Sequence, residues 1–76
     1  MKEIVETIAR SIVDHPDQVE VTEEVGQKSI RIKLTVAEED MGQVIGKQGR
    51  IARAIRTVVK AAATKAGKKA IVDIKS

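Results

Sequence analysis

The stretch that decides the fold is VIGKQGRIARAI, which runs from Val44 to Ile55. Its two glycines, Gly46 and Gly49, enclose Lys47 and Gln48, and a basic segment with apolar residues at helical spacing follows at once. A glycine turn that leads into a basic helix has three explanations. It could be a nucleotide-binding loop, a plain link between two helices, or a clamp for the backbone of a polynucleotide.

The nucleotide-binding loop fits the residues poorly. A Walker loop needs the pattern G-x-x-x-x-G-K-[ST] between a strand and a helix. Here only three residues separate Gly42 from Gly46, and Gln48 occupies the position of the hydroxyl that binds Mg²⁺. The segment before the glycines favours a helix rather than a strand. The dinucleotide pattern G-x-G-x-x-G is not matched either.

A plain link between helices accounts for the glycines but not for their surroundings. Gly46 would end one helix, and Gly49 would let the next begin in close packing. This explanation leaves the polar tip of the turn, Lys47 and Gln48, and the arginines after it without a role.

A backbone clamp accounts for both the glycines and the charges. Two residues without side chains let a phosphodiester approach the turn closely. The N-terminus of the following helix adds a positive dipole end, which favours phosphate. Lys47, Arg50 and Arg53 add full positive charges.

Working outward from the turn, the sequence divides into six elements. Helical periodicity predicts a first helix over 2–13, with Ile4, Val5, Ile8 and Ile12 on one stripe, before the break at Pro16. Alternation predicts strands over 19–25 and 29–36, joined by a hairpin loop. A short helix over 37–45 and a long helix over 50–66 flank the turn, and a last strand covers 70–75.

These elements predict one α+β domain over residues 1–76, in the order α-β-β-α-α-β. Only one face of SIRIKLTV is apolar, so the three helices should cover one face of a three-stranded mixed sheet. The first two strands form an antiparallel hairpin, and the third returns parallel after the helices. In the long helix we expect the core stripe to be Ile51, Ile55, Val58 and Ala62.

The charge distribution points to a polyanionic partner. Residues 1–40 hold five Lys or Arg and ten Asp or Glu, whereas residues 41–76 hold nine Lys or Arg and only Asp73. Such a split predicts one basic surface. The sequence has no aromatic residue, so it lacks the stacking platform of RNA-recognition motifs and cold-shock barrels.

With these residues in view, the chain resembles the KH domains, whose GXXG loop clamps about four nucleotides of backbone. VIGKQGRIARAI is similar to the core KH signature, DMGQVIGKQGR to its form in small bacterial KH proteins, and the element order to the type II, prokaryotic arrangement. The resemblance covers the whole chain and extends to bacterial RNA-binding proteins that consist of a single KH domain.

The resemblance implies a site and partners. It implies phosphate contact by Gly46, Lys47, Gln48 and Gly49, beside an apolar groove wall that includes Val44 and Ile45. Members of this family pair with themselves and with a larger KH-containing protein. They are linked to post-transcriptional regulation, RNA chaperoning and cell-envelope growth, including cell shape.

The sequence favours neither an enzyme nor a metal or cofactor site. His15, the only histidine, precedes Pro16 among acids and is interpreted as a surface turn residue, and the serines have no adjacent base. The run Glu38–Asp40 suits a helix N-terminus better than a catalytic carboxylate set. Without cysteine, a signal-peptide pattern or a long apolar stretch, a cytoplasmic location is expected.

The long helix also predicts a dimer. Small residues in its second half would let another helix approach closely, so we expect a symmetric interface formed by Val58, Val59, Ala62 and Ala63. The alternative is that these residues pack under the last strand, or that the alanines serve helix propensity. A second functional alternative is a protein-interaction module in which RNA binding is incidental.

Overall fold

The computed structural model describes the backbone of residues 1–76 and every side chain except those of Lys47, Gln48 and Arg50. The elements in chain order are α1 (Lys2–Ile12), a 3-10 helix (Pro16–Gln18), β1 (Glu20–Val25), β2 (Ser29–Thr35), α2 (Glu38–Lys65) and β3 (Lys69–Lys75). The predicted α+β class is confirmed, as are the three strands to within one residue. Among the described residues, no helix combines the length and apolar character needed to cross a membrane.

The two predicted helices around the glycines meet without a loop. Helical residues run from Glu38 to Lys65 without interruption, but Gly49 has φ of +66°. An α-helix needs φ near about −63°, so the backbone departs from helical geometry at Gly49. We call the residues before and after Gly49 the first and second halves of α2, and with them the predicted order α-β-β-α-α-β is confirmed. The predicted helix end at Gly46 is wrong, because Gly46 is itself helical.

The sheet has the predicted mixed topology. Its order is β1-β2-β3, in which β1 and β2 are antiparallel and β2 and β3 are parallel. The inner face of β2 is formed by Ile30, Ile32 and Leu34, all buried, and the residues between them are half-buried. The clean alternation in SIRIKLTV therefore did specify which face of the sheet meets the helices.

Helix α1 ends where the sequence predicted. Val13, which caps its C-terminus, is extended, and Pro16 follows three residues later. The buried face of α1 consists of Val5 and Ala9, with Ile8 packed beside the core. Ile4, predicted on the core stripe, is instead half-exposed.

The predicted core stripe of the long helix is wrong in phase. The buried residues of the second half are Ala52, Ile55, Val59 and Ala63. Val58 and Ala62, expected in the core, are half-buried on one flank. Buried alanines let a helix lie closer to the sheet than larger side chains would allow. This close packing accounts for Ala52 and Ala63 facing the core.

Candidate functional site

The first half of α2 is fixed at its start by a buried carboxylate. Asp40 is 1% exposed and accepts hydrogen bonds from the backbone N–H groups of Asp14 (3.2 Å) and His15 (3.0 Å). Nδ1 of His15 lies 3.2 Å from Oδ2 of the same carboxylate and donates to it. The loop after α1 is thereby attached to the N-terminus of the helix that carries the glycines.

This pairing shifts the pKa of both side chains. The hydrogen bond to Asp40 raises the pKa of His15, against the effect of its partial burial. Burial alone would raise the pKa of Asp40, but the hydrogen bonds from the His15 ring and from the backbone of His15 and Asp14 together lower it. The sequence-based interpretation of His15 as a surface turn residue missed this partner, because nothing in the chain pattern relates it to Asp40.

Gly46 and Gly49 both face open space. A methyl group at either position would meet none of the described atoms within 4 Å, the adjacent residues and the helix's own nearby backbone apart. Only Gly49 needs a left-handed backbone, in which L side chains are strained. The absence of a side chain at Gly46 is therefore not required by the fold. The side chains of Lys47, Gln48 and Arg50, predicted to contact phosphate, lie outside the described residues.

The predicted apolar wall divides into one core residue and one surface residue. Val44 is 0% exposed and belongs to the core, so its predicted role as a groove wall is wrong. Ile45, the next residue, is 51% exposed directly before the glycines. A large apolar side chain in this position is available to a ligand that passes the turn.

A basic cleft begins at Gly49 and follows the second half of α2. This cleft has a volume of about 330 Å³ and is lined by Gly49, Arg53, Arg56, Thr57 and Lys60. The predicted site residue Arg53 is thus placed beside the glycines, together with two cations that the prediction left out. Their spacing of three and four residues was the signal for one helix face. Among the described side chains, Arg53, Arg56 and Lys60 form no ion pair.

The four predicted interface residues fall into two pairs. Val59 and Ala63 are 0% exposed and pack in the core of this chain, which removes them from any surface. Val58 and Ala62 are half-buried and lie together, four residues apart. Lys60 is two residues from each, about 200° around the helix. The small-residue flank and the basic cleft therefore lie on different sides of α2.

The described residues do not meet the requirements of a metal site. They include no group of three or more His, Asp or Glu side chains that could hold a metal ion. The cleft combines a glycine backbone with positive charge, and the exposed Ile45 precedes the glycines, an arrangement that suits a polyanion with apolar parts.

Comparison with known proteins gives a consistent result. Residues 2–74 match the family described as KhpA/KhpB, KH domain. Over 74 residues, the chain is 62% identical to the RNA-binding protein KhpA of Clostridium acetobutylicum, 64% to that of Clostridium perfringens and 65% to that of Caldanaerobacter subterraneus. Each comparison covers 97% of this chain and 99% of the relative. No solved structure gave a significant match.

Proposed function

Because the chain belongs to the KhpA/KhpB family of KH domains, we propose that it binds single-stranded RNA through the turn Gly46–Gly49 and the basic cleft beside it. The relatives named above are RNA-binding proteins by name. The observation that carries the proposal is the pair of glycines with open space in front of them at the start of a cationic helix face.

Phosphate recognition follows from three features of the turn. The open backbone allows a phosphodiester to come close, which a side chain would prevent. The break in helical geometry at Gly49 would give the second half a positive dipole end of its own at the turn, which favours phosphate. Arg53 adds a charge on the first turn after it, and we propose that Lys47, Gln48 and Arg50 contribute as well.

Base recognition should be weak. The sequence offers no aromatic ring for stacking, so the apolar contact to a base falls to Ile45. Phosphate contacts position a strand and base contacts specify it. We therefore expect modest sequence preference, which suits an RNA chaperone or a post-transcriptional regulator in the cytoplasm.

We propose further that the protein acts as a dimer. The flank of Val58 and Ala62 is the part of the predicted interface that remains at the surface, and it leaves the basic cleft open. A second copy would present two clefts to one RNA and raise its avidity through effective concentration. A larger KH-containing protein of the KhpB type is the alternative partner. The competing function is a protein-interaction module in which RNA binding is incidental.

The direct test is a charge reversal at the turn. Lys47→Asp places a negative charge where phosphate must approach, so affinity for a uniform single-stranded RNA should fall by more than about tenfold, or 1.4 kcal/mol. The matched control is Lys65→Asp, which makes the same charge change at an exposed position of α2 that lines neither the turn nor the cleft. Fluorescence anisotropy gives the affinities, and circular dichroism checks the fold. Equal affinity of wild type and Lys47→Asp would reject the clamp and favour the interaction module.

A further inference from the structure

The imidazole of His15 lies between two carboxylates of the first turn of α2. Its Nδ1 is 3.2 Å from Oδ2 of the buried Asp40, and its Nε2 is 3.6 Å from Oε2 of Glu39. A neutral imidazole carries one N–H, whereas an imidazolium carries two. Only the protonated ring can therefore present an N–H to both carboxylates at once. With the adjacent Asp14, these are the charged groups that act on His15 among the described residues.

The contact between His15 and Asp40 is attached to the helical segment that carries the glycine turn. Asp40 lies in the first turn of α2, and Gly46 follows about 9 Å further along the helix axis. The residues between them are helical without interruption. A shift of Asp40 is therefore transmitted to the turn through the hydrogen-bonded backbone of this segment.

The first half of α2 has few buried side chains among those that the structure describes. Only Asp40 and Val44 are buried, and Met41 packs beside the core, whereas Gly42 and Ile45 are exposed. Val44 fixes the middle of the segment against the core. The direction of the segment then depends on how its two ends are held, and the end opposite the turn is held by Asp40.

We propose that His15 and Asp40 are positioning residues for RNA binding: their contact holds the first half of α2 in the orientation in which the glycine turn receives phosphate, so RNA affinity falls as His15 loses its proton. This inference rests on the proposed function. Neither side chain lines the basic cleft, so both act through the backbone of α2. The hydrogen bond to Asp40 raises the pKa of His15, so the contact is complete below about pH 6.5 and weakens as pH rises through the folded value.

A direct attraction between protonated His15 and a phosphate is the alternative explanation of such a pH dependence. The three carboxylates around the ring make its surroundings acidic, which disfavours a phosphate there. The two explanations also differ in salt dependence. A cation that contacts phosphate adds about 0.7 to the slope of log affinity against log salt for a single strand, whereas a positioning residue leaves the number of phosphate contacts unchanged.

The test is the RNA affinity of the full chain as a function of pH. The probe is a fluorescent oligouridylate of about four nucleotides, the length that a GXXG loop holds, and anisotropy gives the affinity. Wild-type affinity should fall by roughly fivefold between pH 6 and pH 8, which is the lower end of typical coupling between two sites. The slope against salt should be the same at both pH values. The lysine and arginine side chains of the site keep their charge over this range.

Two variants of His15 separate the contact from the charge. His15→Ala removes the contact and should bind about fivefold more weakly than wild type at pH 6, without the pH dependence. His15→Asn places an amide N–H where Nδ1 of the ring lies, so it should recover most of that affinity at every pH. If His15→Ala did not fold, the pH profiles of wild type and His15→Asn would still decide.

Val21→Ala controls for a general loss of stability. It shortens a buried side chain of β1 and should keep both the affinity and the pH dependence of wild type. Circular dichroism checks that each variant is folded under the binding conditions. Hydrogen exchange gives a further readout without RNA: the backbone amides of Val44 and Ile45 should exchange faster in His15→Ala than in wild type, whereas those of Ile55 and Val59 should not.

The contrary outcomes separate this inference from the proposed function. Equal RNA affinity of wild type and His15→Ala at pH 6 would overturn the positioning role and leave the glycine turn in place. A wild-type salt slope that is smaller by about 0.7 at pH 8 would assign the effect to direct phosphate contact and overturn it as well. An equal loss of affinity in Val21→Ala would attribute the effect to stability alone. Absence of any RNA binding by wild type at either pH would reject both proposals.

Discussion

Gly46 and Gly49 belong to one motif, but the backbone needs glycine at only one of them. Gly49 is left-handed at +66°, a conformation that costs an L residue about 1–2 kcal/mol. Gly46 lies within the helical run, faces open space and has no positive φ. The fold explains Gly49, whereas the proposed ligand at the turn would explain Gly46.

This difference makes Gly46→Ala an informative variant. Alanine is about 1 kcal/mol more favourable than glycine inside a helix, so the free energy of unfolding should rise by up to that amount. RNA affinity should nevertheless fall by about tenfold, 1.4 kcal/mol, because the new methyl group occupies the path of the phosphate. Urea unfolding and fluorescence anisotropy measure the two effects.

Gly42→Ala is the matched control for this pair of effects. Gly42 is also a helical glycine in the first half of α2 with open space around it, and it lies outside the turn. It should gain stability to a similar extent and bind RNA as wild type does. If Gly46→Ala also kept full RNA affinity, close approach of a phosphate to this residue would be refuted.

His15 gives the stability of the protein a defined pH dependence. Its pKa is raised in the folded state by the hydrogen bond to Asp40, so protonation favours folding. The stabilisation is fully present below the ordinary histidine pKa of about 6.5 and is lost as pH rises through the folded value. The pKa of Asp40 is lowered, so its contribution is present above the ordinary aspartate value and is lost as pH falls through the folded value.

Between about pH 6 and 8, the free energy of unfolding should therefore decrease as pH rises. His15 is the only histidine, which makes the assignment direct. His15→Gln should remove most of this slope while keeping a polar side chain at the position. Urea unfolding at several pH values gives the measurement. A slope of the same size in the variant would show that a group other than His15 is responsible.

The sequence was least informative about contacts between individual residues that are far apart in the chain. Asp40 and His15 are 25 positions apart, and their hydrogen bond depends on how the loop after α1 meets α2. Local patterns carry no information on such a contact. By contrast, the exposure of Arg53 followed from its charge and its place on the far side of the long helix from the core.

At the element scale, α2 separates what periodicity can predict from what it cannot. Its existence and its basic face were predictable, because charged and apolar residues recur at helical spacing. The rotation of α2 about its own axis, which decides which side chains face the sheet, was not predictable, because two apolar stripes overlap in the sequence. The predicted stripe and the observed one share Ile55 and differ by one position elsewhere. Only packing against the sheet selects the stripe that contains Val59.

A pair of valine truncations tests this rotation. Val59→Ala removes two methyl groups from a fully buried site and should lower the free energy of unfolding by about 2 kcal/mol. Val58→Ala makes the same chemical change on the half-buried flank and should cost less than about 1 kcal/mol. Urea unfolding measures both losses in free energy of unfolding. A larger loss for Val58→Ala than for Val59→Ala would favour the core stripe predicted from the sequence.

At the scale of the whole molecule, the charge asymmetry of the chain becomes a spatial one. The basic second part of the sequence supplies the basic cleft along α2, whereas the acidic first part supplies β1 and the loop after α1. The order of the elements and the mixed sheet could be predicted from the sequence, because each strand has an apolar face. The boundaries between elements are also marked by residues that end a helix or strand, such as Pro16.

At this scale the fold also limits which residues could form the proposed dimer interface. Val59 and Ala63 cannot contribute, since this chain buries them completely. The flank of Val58 and Ala62 can, and a contact there would leave Lys60 and the basic cleft open on another side of α2. A homodimer on this flank would therefore bring two RNA sites together without covering either.

Ala62→Glu should break this contact. A charged side chain on a flank of small residues meets its own copy across a symmetric interface, and like charges held close together repel. The variant should remain folded, because Ala62 is only half-buried. Thr22→Glu, at an exposed position of β1, is the control for the added charge. Light scattering over a concentration series should give wild type and the control a mass approaching twice the 8.3 kDa of the monomer, and Ala62→Glu the monomer mass.

The affinity of Ala62→Glu for a tetranucleotide should stay that of wild type, since the cleft of each copy is intact. Its affinity for an RNA long enough to span the clefts of two copies should fall. A wild-type mass that stays at the monomer value at high micromolar concentration would reject the homodimer and leave the flank to a different partner.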